Sequence, residues 1–320
     1  MTAFGVGNLA RVEASTSTSR QQPRDTGREA EDVAGNDSEQ VAGMTLPNLV
    51  VIGAQKCGTS GLHYYLGLHP EISMSSPKEL NFFIAERNWD RGVEWYARHF
   101  DADAAVRGES SPNYTAYPHH AGVPERMHSL VPDARLIFLV RDPIERIAAH
   151  WVHNYAKRRE KGDVAATVMH PNTTYLLRSQ YHMQLRRFLN HYPADRILVL
   201  DQDDLRHRRV DTLRAIFSFV GVDAGFEHPG FTRERHRTGR KHRATRAGLR
   251  LEKAGMRVFG GKLPRGFWFA ERLLFLRRPI DVPDTPDIRD ALSPEVITVL
   301  REDADRLREF TGRSFDHWSV

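Results

Sequence analysis

Between Leu46 and Leu66 the chain passes from an apolar run through a glycine-bracketed turn into a helical pattern, and no other segment constrains the fold as tightly. Leu49-Val50-Val51-Ile52 is an unbroken apolar run, the form taken by a parallel strand buried on both faces. Pro47 stands where a strand tolerates proline, at its start. Gly53-Ala54-Gln55-Lys56-Cys57-Gly58-Thr59-Ser60 follows, and then Gly61-Leu62-His63-Tyr64-Tyr65-Leu66 at helical spacing. Strand, glycine turn and helix in that order aim the unpaired N–H groups of a helix N-terminus at an anion. Gly58 lets the backbone approach a ligand closely, and Lys56 adds a mobile cation. The spacing departs from a nucleoside-triphosphatase loop, which sets lysine directly after the second glycine with Ser or Thr next to hold magnesium. Here Lys56 precedes Gly58. On spacing alone, a glycine turn with an incidental lysine competes with phosphate binding.

Further along, strands alternate with helices. Gly92–Phe100 reads as an amphipathic helix with Trp95, Tyr96 and Phe100 on one face, and a second helix runs from Pro124 to Leu130. Ala134–Val140 is the strongest strand signal and ends at Arg141-Asp142-Pro143, before a long helix from Ile144 to about Lys157. Ser179–His191 reads as helix, Arg196–Leu200 as strand, and Asp211–Val220 as a helix closed by Gly221. Ser293 caps a last helix that has Pro294 in its first turn. This alternation predicts an α/β fold with a parallel sheet between helices. Residues 222–290 are arginine-rich and broken by glycine and proline, with amphipathic patches at 245–259 and 267–277.

Residues 1–44 are rich in Ser, Thr, Gln, Gly and acidic groups and are expected to be a disordered tail, leaving 45–320 as one domain. Mean hydropathy of −0.53 and no apolar run near about 18 residues argue against a membrane span. The single cysteine, Cys57, rules out an intrachain disulfide and, with no recognisable signal peptide, makes cytoplasmic location the expectation. A net charge of +5 favours anionic partners. His150 with His153, and the adjacent His119 and His120, lack the carboxylate or cysteine companions of a metal site, so no metal is expected and these read as core or surface histidines.

Val51-Ile52-Gly53-Ala54-Gln55-Lys56-Cys57-Gly58-Thr59-Ser60-Gly61-Leu62 resembles the 5′-phosphosulfate loop of sulfotransferases that use 3′-phosphoadenosine 5′-phosphosulfate (PAPS). The likeness is to the branch holding the heparan sulfate sulfotransferases and their bacterial relatives. Lys78-Glu79-Leu80-Asn81-Phe82-Phe83, Glu109-Ser110-Ser111-Pro112-Asn113-Tyr114, Leu139-Val140-Arg141-Asp142-Pro143-Ile144-Glu145-Arg146 and Thr311–Trp318 extend it in the family's order. The resemblance implies a P-loop-like three-layer fold. It implies that Lys56, Cys57, Gly58, Thr59 and Ser60 hold the phosphosulfate, that Arg141 holds the 3′-phosphate, and that Gly239, Arg240 and Lys241 close over the nucleotide. Glu79 would be the general base, with Lys56 stabilising the leaving oxygen. The acceptor would be a carbohydrate or small molecule, bound by loops near 84–91, 114–123, 156–178 and 260–285. Three departures stand out: Asn81 where several relatives have histidine, Ala149 where a serine often joins the 3′-phosphate, and Ser110 where lysine is common.

Two other classes compete. A P-loop kinase or nucleoside triphosphatase would need lysine in register and a strand-end aspartate for magnesium, whereas Arg141 comes first after its strand. A non-enzymatic polyanion binder is suggested by the basic stretch 233–278, but no nucleic-acid module or aromatic interleaving accompanies it, so no nucleic-acid partner is expected.

Overall fold

In the computed structural model, the residues described are 43–157, 159, 160, 167, 168, 173–233, 242–245, 250, 251, 254, 255, 257, 277–279 and 288–320. The expected tail therefore lies, but for its last two residues, outside them, as do Gly239, Arg240 and Lys241 and most of both amphipathic patches. Met44–Val320 forms one compact unit.

Five parallel strands form the centre: β1 (Leu49–Gly53), β2 (Ile72–Met74), β3 (Val106–Ser110), β4 (Arg135–Val140) and β5 (Ile197–Asp201). Their order across the sheet is β2-β3-β1-β4-β5. Every residue of β1 is buried, as are the last five of β4, which is why both read as continuous apolar runs. Helices flank this sheet: α1 (Thr59–Leu66), α2 (Val93–Ala97), α3 (Val123–Leu130), α4 (Pro143–Ala156), α5 (Thr174–Leu177), α6 (Tyr181–Leu189), α7 (Gln202–His207) and α8 (Arg209–Val220). A two-stranded antiparallel ribbon pairs β6 (His242–Ala244) with β7 (Arg277–Pro279), and α9 (Pro294–Thr311) ends the fold.

Most expected elements form within a residue or two of their predicted ends. Gly221 closes α8 in the left-handed conformation, and the Ser293 hydroxyl accepts from Val296 N to cap α9. The helix expected over Gly92–Phe100 is shorter: α2 ends at Ala97, beyond which His99 N and Phe100 N turn back onto Tyr96 O and Ala97 O, and Gly92 at φ 78°, ψ 162° sets α2 apart from a 3₁₀ turn at Trp89–Arg91. Tyr96 alone of α2 is buried, stacked on Phe82 at 4.2 Å between ring centroids.

The topology locates the crevice. β1 and β4 are neighbours, yet the chain leaves β1 towards β2 on one side and leaves β4 towards β5 on the other. Adjacent strands whose connections diverge open a gap at their carboxyl ends, where open α/β sheets bind ligands. The loop holding Lys56 follows β1, and Arg141 follows β4.

Candidate active site

The loop after β1 is held close to the sheet. Ala54 N donates to Leu139 O at 2.7 Å, and a Cβ placed on Gly53 would fall 2.0 Å from Thr115 Oγ1, so glycine is required for the approach. Lys56 has φ 78° and Gly58 φ 95°, and the loop turns through these left-handed residues into α1. No side chain caps α1, and its first turn contains no acid, so the positive end of the helix faces the gap. The amide of Cys57 is turned inward onto Ala54 O at 3.2 Å. Its thiol is fully buried 3.5 Å from Tyr181 OH, and burial pushes it up to about 11 against the pull of Arg146 and Arg141. Cys57 is thus a protonated core group, with its thiol beside Tyr181 and its amide on Ala54 O. Thr59 is buried and Ser60 half-buried.

Lys56 Nζ donates to Nδ1 of His153 on α4 at 3.4 Å. That contact gives His153 a place in the site that its spacing in the sequence did not reveal. His150, one turn earlier, is buried and driven well below the usual imidazole range by burial, then by Arg146 and Arg178.

Arg141 lies close enough to the loop to act on the Cys57 thiol, and its guanidinium is engaged by Glu145 Oε2 from Nε at 2.8 Å and Nη2 at 2.5 Å. Asp142 caps α4 through Glu145 N at 2.9 Å, and its other carboxylate oxygen accepts from Ser319 N. This docks the C-terminal residues beside the end of β4.

Glu79 sits at φ 66° in the turn after β2, with its N–H on Ser110 O at 3.1 Å. Its carboxylate is 44% exposed and paired with Lys78 at 2.8 Å. The side chain is thus open to solvent and pairs with the neighbouring lysine, while Lys56 is engaged by His153. The turn itself is stitched to the segment after β3: Asn81 N donates to Ser111 Oγ at 2.9 Å and Phe82 N to Tyr114 OH at 3.0 Å. Beneath it, the fully buried Glu109 accepts from Tyr96 OH, Ser111 Oγ and Tyr114 OH at 2.6–2.8 Å. Burial raises the Glu109 carboxyl despite those donors. The Ser110 hydroxyl pairs with His63 Nδ1 at 3.0 Å. Burial, then Lys78, pulls His63 down to about 4. Ala149 is buried, 1% exposed, inside α4.

Two further arginines, Arg146 at the end of the β4 motif and Arg178 beyond α5, reach Gln55 in the loop after β1. Arg146 is wholly buried and donates to Ser179 Oγ, Tyr175 O and Gln55 O at 2.5, 2.6 and 3.4 Å. Arg178 Nη1 donates to Gln55 Oε1 and Asn113 Oδ1, both at 3.0 Å. Among the described residues no three His, Cys, Asp or Glu gather as metal ligands, and no helix is long and apolar enough to cross a membrane.

A glycine-bracketed strand–loop–helix at the diverging point of a parallel sheet, faced by a second strand-end cation, defines a P-loop-like α/β fold. Residues 47–227 match the model of the sulfotransferase family, and the chain belongs to that family. It is 27% identical over 199 residues to human bifunctional heparan sulfate N-deacetylase/N-sulfotransferase 2, which covers 55% of this chain and 22% of that protein. It is 37% identical over 124 residues to the membrane-associated sulfotransferase kil1 of Dictyostelium discoideum, covering 37% and 25%. The matched part thus spans about a quarter or less of these relatives. A crystal structure of a sulfotransferase from Alicyclobacillus acidocaldarius shares the fold, with a TM-score of 0.61 at 22% identity over 86% of this chain and 99% of that one.

Proposed function

We propose that the chain transfers a sulfuryl group from PAPS to a hydroxyl or amine acceptor by in-line displacement. The observation that carries this reading is the placement of Lys56 and Arg141 on the two loops that flank the diverging point between β1 and β4. The family assignment supports the chemistry.

In the proposed step the acceptor oxygen or nitrogen attacks sulfur, and the bond from sulfur to the bridging oxygen of the phosphosulfate breaks. The electron pair leaves with adenosine 3′,5′-bisphosphate, and the acceptor proton passes to Glu79. Lys56, steadied by His153, meets the charge developing on the bridging oxygen, and the uncapped start of α1 meets the 5′-phosphate. Arg141 binds the 3′-phosphate after exchanging Glu145 for it. Gly239, Arg240 and Lys241, outside the described residues, are assigned to donor binding in this reading. The leaving phosphate is stable enough that this reading uses no metal.

The names of the heparan sulfate relatives favour a carbohydrate acceptor, and lipids and small metabolites are the alternatives. A cytoplasmic setting belongs to the same proposal. The test is transfer of labelled sulfate from PAPS, in EDTA, to a panel of sugars, phenols, lipids and glycosylated metabolites. Labelled product from one class is the expected result. No product from any class, with no binding of adenosine 3′,5′-bisphosphate, overturns the reading.

A further inference from the structure

Arg178, just beyond α5, is buried, 8% exposed, and among the described residues no carboxylate lies within ion-pair distance of it. Among the described residues its Nε has no hydrogen-bond partner. Burial, then Arg146 and Arg87, pulls it down to about 10. An arginine held this way weakens the fold unless its placement serves something else.

What it touches suggests that service. One Nη1 reaches Gln55 Oε1, next to Lys56, and Asn113 Oδ1, after β3. Asn113 Nδ2 donates to Asn81 Oδ1 at 3.0 Å, and Asn81 Nδ2 donates to the Glu79 carbonyl at 2.7 Å. A continuous set of hydrogen bonds therefore runs from the loop of the candidate electrophilic lysine to the turn of the candidate base. Four described residues other than glycine have positive φ, and three of them, Lys56, Glu79 and Asn81, lie in these two segments. Each such residue costs about 1 kcal/mol or more and persists only where its surroundings dictate it.

We propose that Arg178 is a positioning residue, tying the loop after β1 to the Glu79 turn through Gln55 on one side and Asn113 and Asn81 on the other. The inference rests on Lys56 and Glu79 acting together in sulfuryl transfer. A planar guanidinium suits the task because it spans two acceptors at fixed angles, which lysine does not.

The test compares wild type with Arg178→Met, Arg178→Lys and Asn113→Ala in three measurements: binding of adenosine 3′,5′-bisphosphate, amide exchange of residues 79–83 with that ligand bound, and kcat against KM for PAPS. Those amides are readable because Glu79, Asn81 and Phe82 all donate hydrogen bonds. In Arg178→Met we expect ligand affinity within about threefold of wild type and exchange about tenfold faster, the equivalent of one lost hydrogen bond. Turnover should fall about a hundredfold, as for a displaced reacting group, with KM for PAPS little changed. Arg178→Lys should recover part of the turnover. Asn113→Ala should reproduce the defect, and combining it with Arg178→Met should add little, as for members of one network.

Unchanged exchange and turnover in Arg178→Met and Asn113→Ala overturn the proposal, as do additive defects in the double variant. If Arg178→Met does not fold, Asn113→Ala alone decides by the same criteria. A wild type that binds no adenosine 3′,5′-bisphosphate overturns the sulfotransferase reading and this one with it. A wild type that binds and turns over, with variants equal to it, overturns this one alone.

Discussion

Arg141 Nη2 stands 2.5 Å from Glu145 Oε2, one helical turn along, so the cation at the end of β4 already has a carboxylate on it. That carboxylate is 59% exposed, and an ion pair of this kind is worth about 1 kcal/mol or less. A bound 3′-phosphate should displace it. Glu145→Gln is expected to tighten adenosine 3′,5′-bisphosphate by up to about fivefold, and Arg141→Ala to weaken it by about tenfold or more. Calorimetric titration at fixed low salt checks both, and an unaltered constant in both variants removes Arg141 from the site.

Lys56→Ala should cost about 10²-fold or more in kcat, the scale for losing a group aimed at developing charge. His153→Ala should cost less, about five- to tenfold, because one hydrogen bond to the lysine is lost while the cation stays. Circular dichroism should match wild type in both. Equal losses would mean that His153 itself touches the reacting groups.

For Glu79→Gln, kcat should fall by about 10²–10⁴ with donor binding unchanged, as for loss of a general base. Lys78→Ala tests the ion pair that occupies this carboxylate in the structure. The pair is exposed, so the melting temperature should barely move and turnover should stay within about twofold. Full activity in Glu79→Gln would assign the base elsewhere.

His63 makes stability depend on pH. Folding lowers it from 6.5 to about 4, so between those values the unfolded chain binds a proton that the folded chain refuses. Stability is therefore complete above pH 6.5 and declines as pH falls towards 4, by about 2 kcal/mol at pH 5 from this residue alone. His150 acts in the same direction. Thermal melts of His63→Gln between pH 7 and 5 should show a shallower decline than wild type, and an equal slope would contradict the assignment.

The sequence made one side of the sheet legible, β1, β4 and β5, and left the other, β3 and β2, unread. β1, β4 and β5 are apolar runs because they are covered by helices. β2 has only three residues, and β3, Val-Arg-Gly-Glu-Ser, looks polar because Glu109 is buried among hydroxyl donors instead of apolar neighbours. Lys56 and Arg141 could be placed in advance because each follows a strong strand. His153 and Arg178 could not, since each gains its role from a partner 97 or 123 residues away, Lys56 and Gln55. Glu79 stands out only through the family resemblance, since an exposed Glu beside Lys78 reads as an ordinary surface ion pair.

Binding of adenosine 3′,5′-bisphosphate in EDTA, compared with adenosine 5′-monophosphate and with ATP, tests most directly whether Lys56 and Arg141 share one nucleotide. The bisphosphate should raise the melting temperature of wild type without magnesium, the monophosphate much less, and Lys56→Ala and Arg141→Ala should each shrink the shift. Equal shifts with the monophosphate, or a response only to ATP with magnesium, would contradict the account.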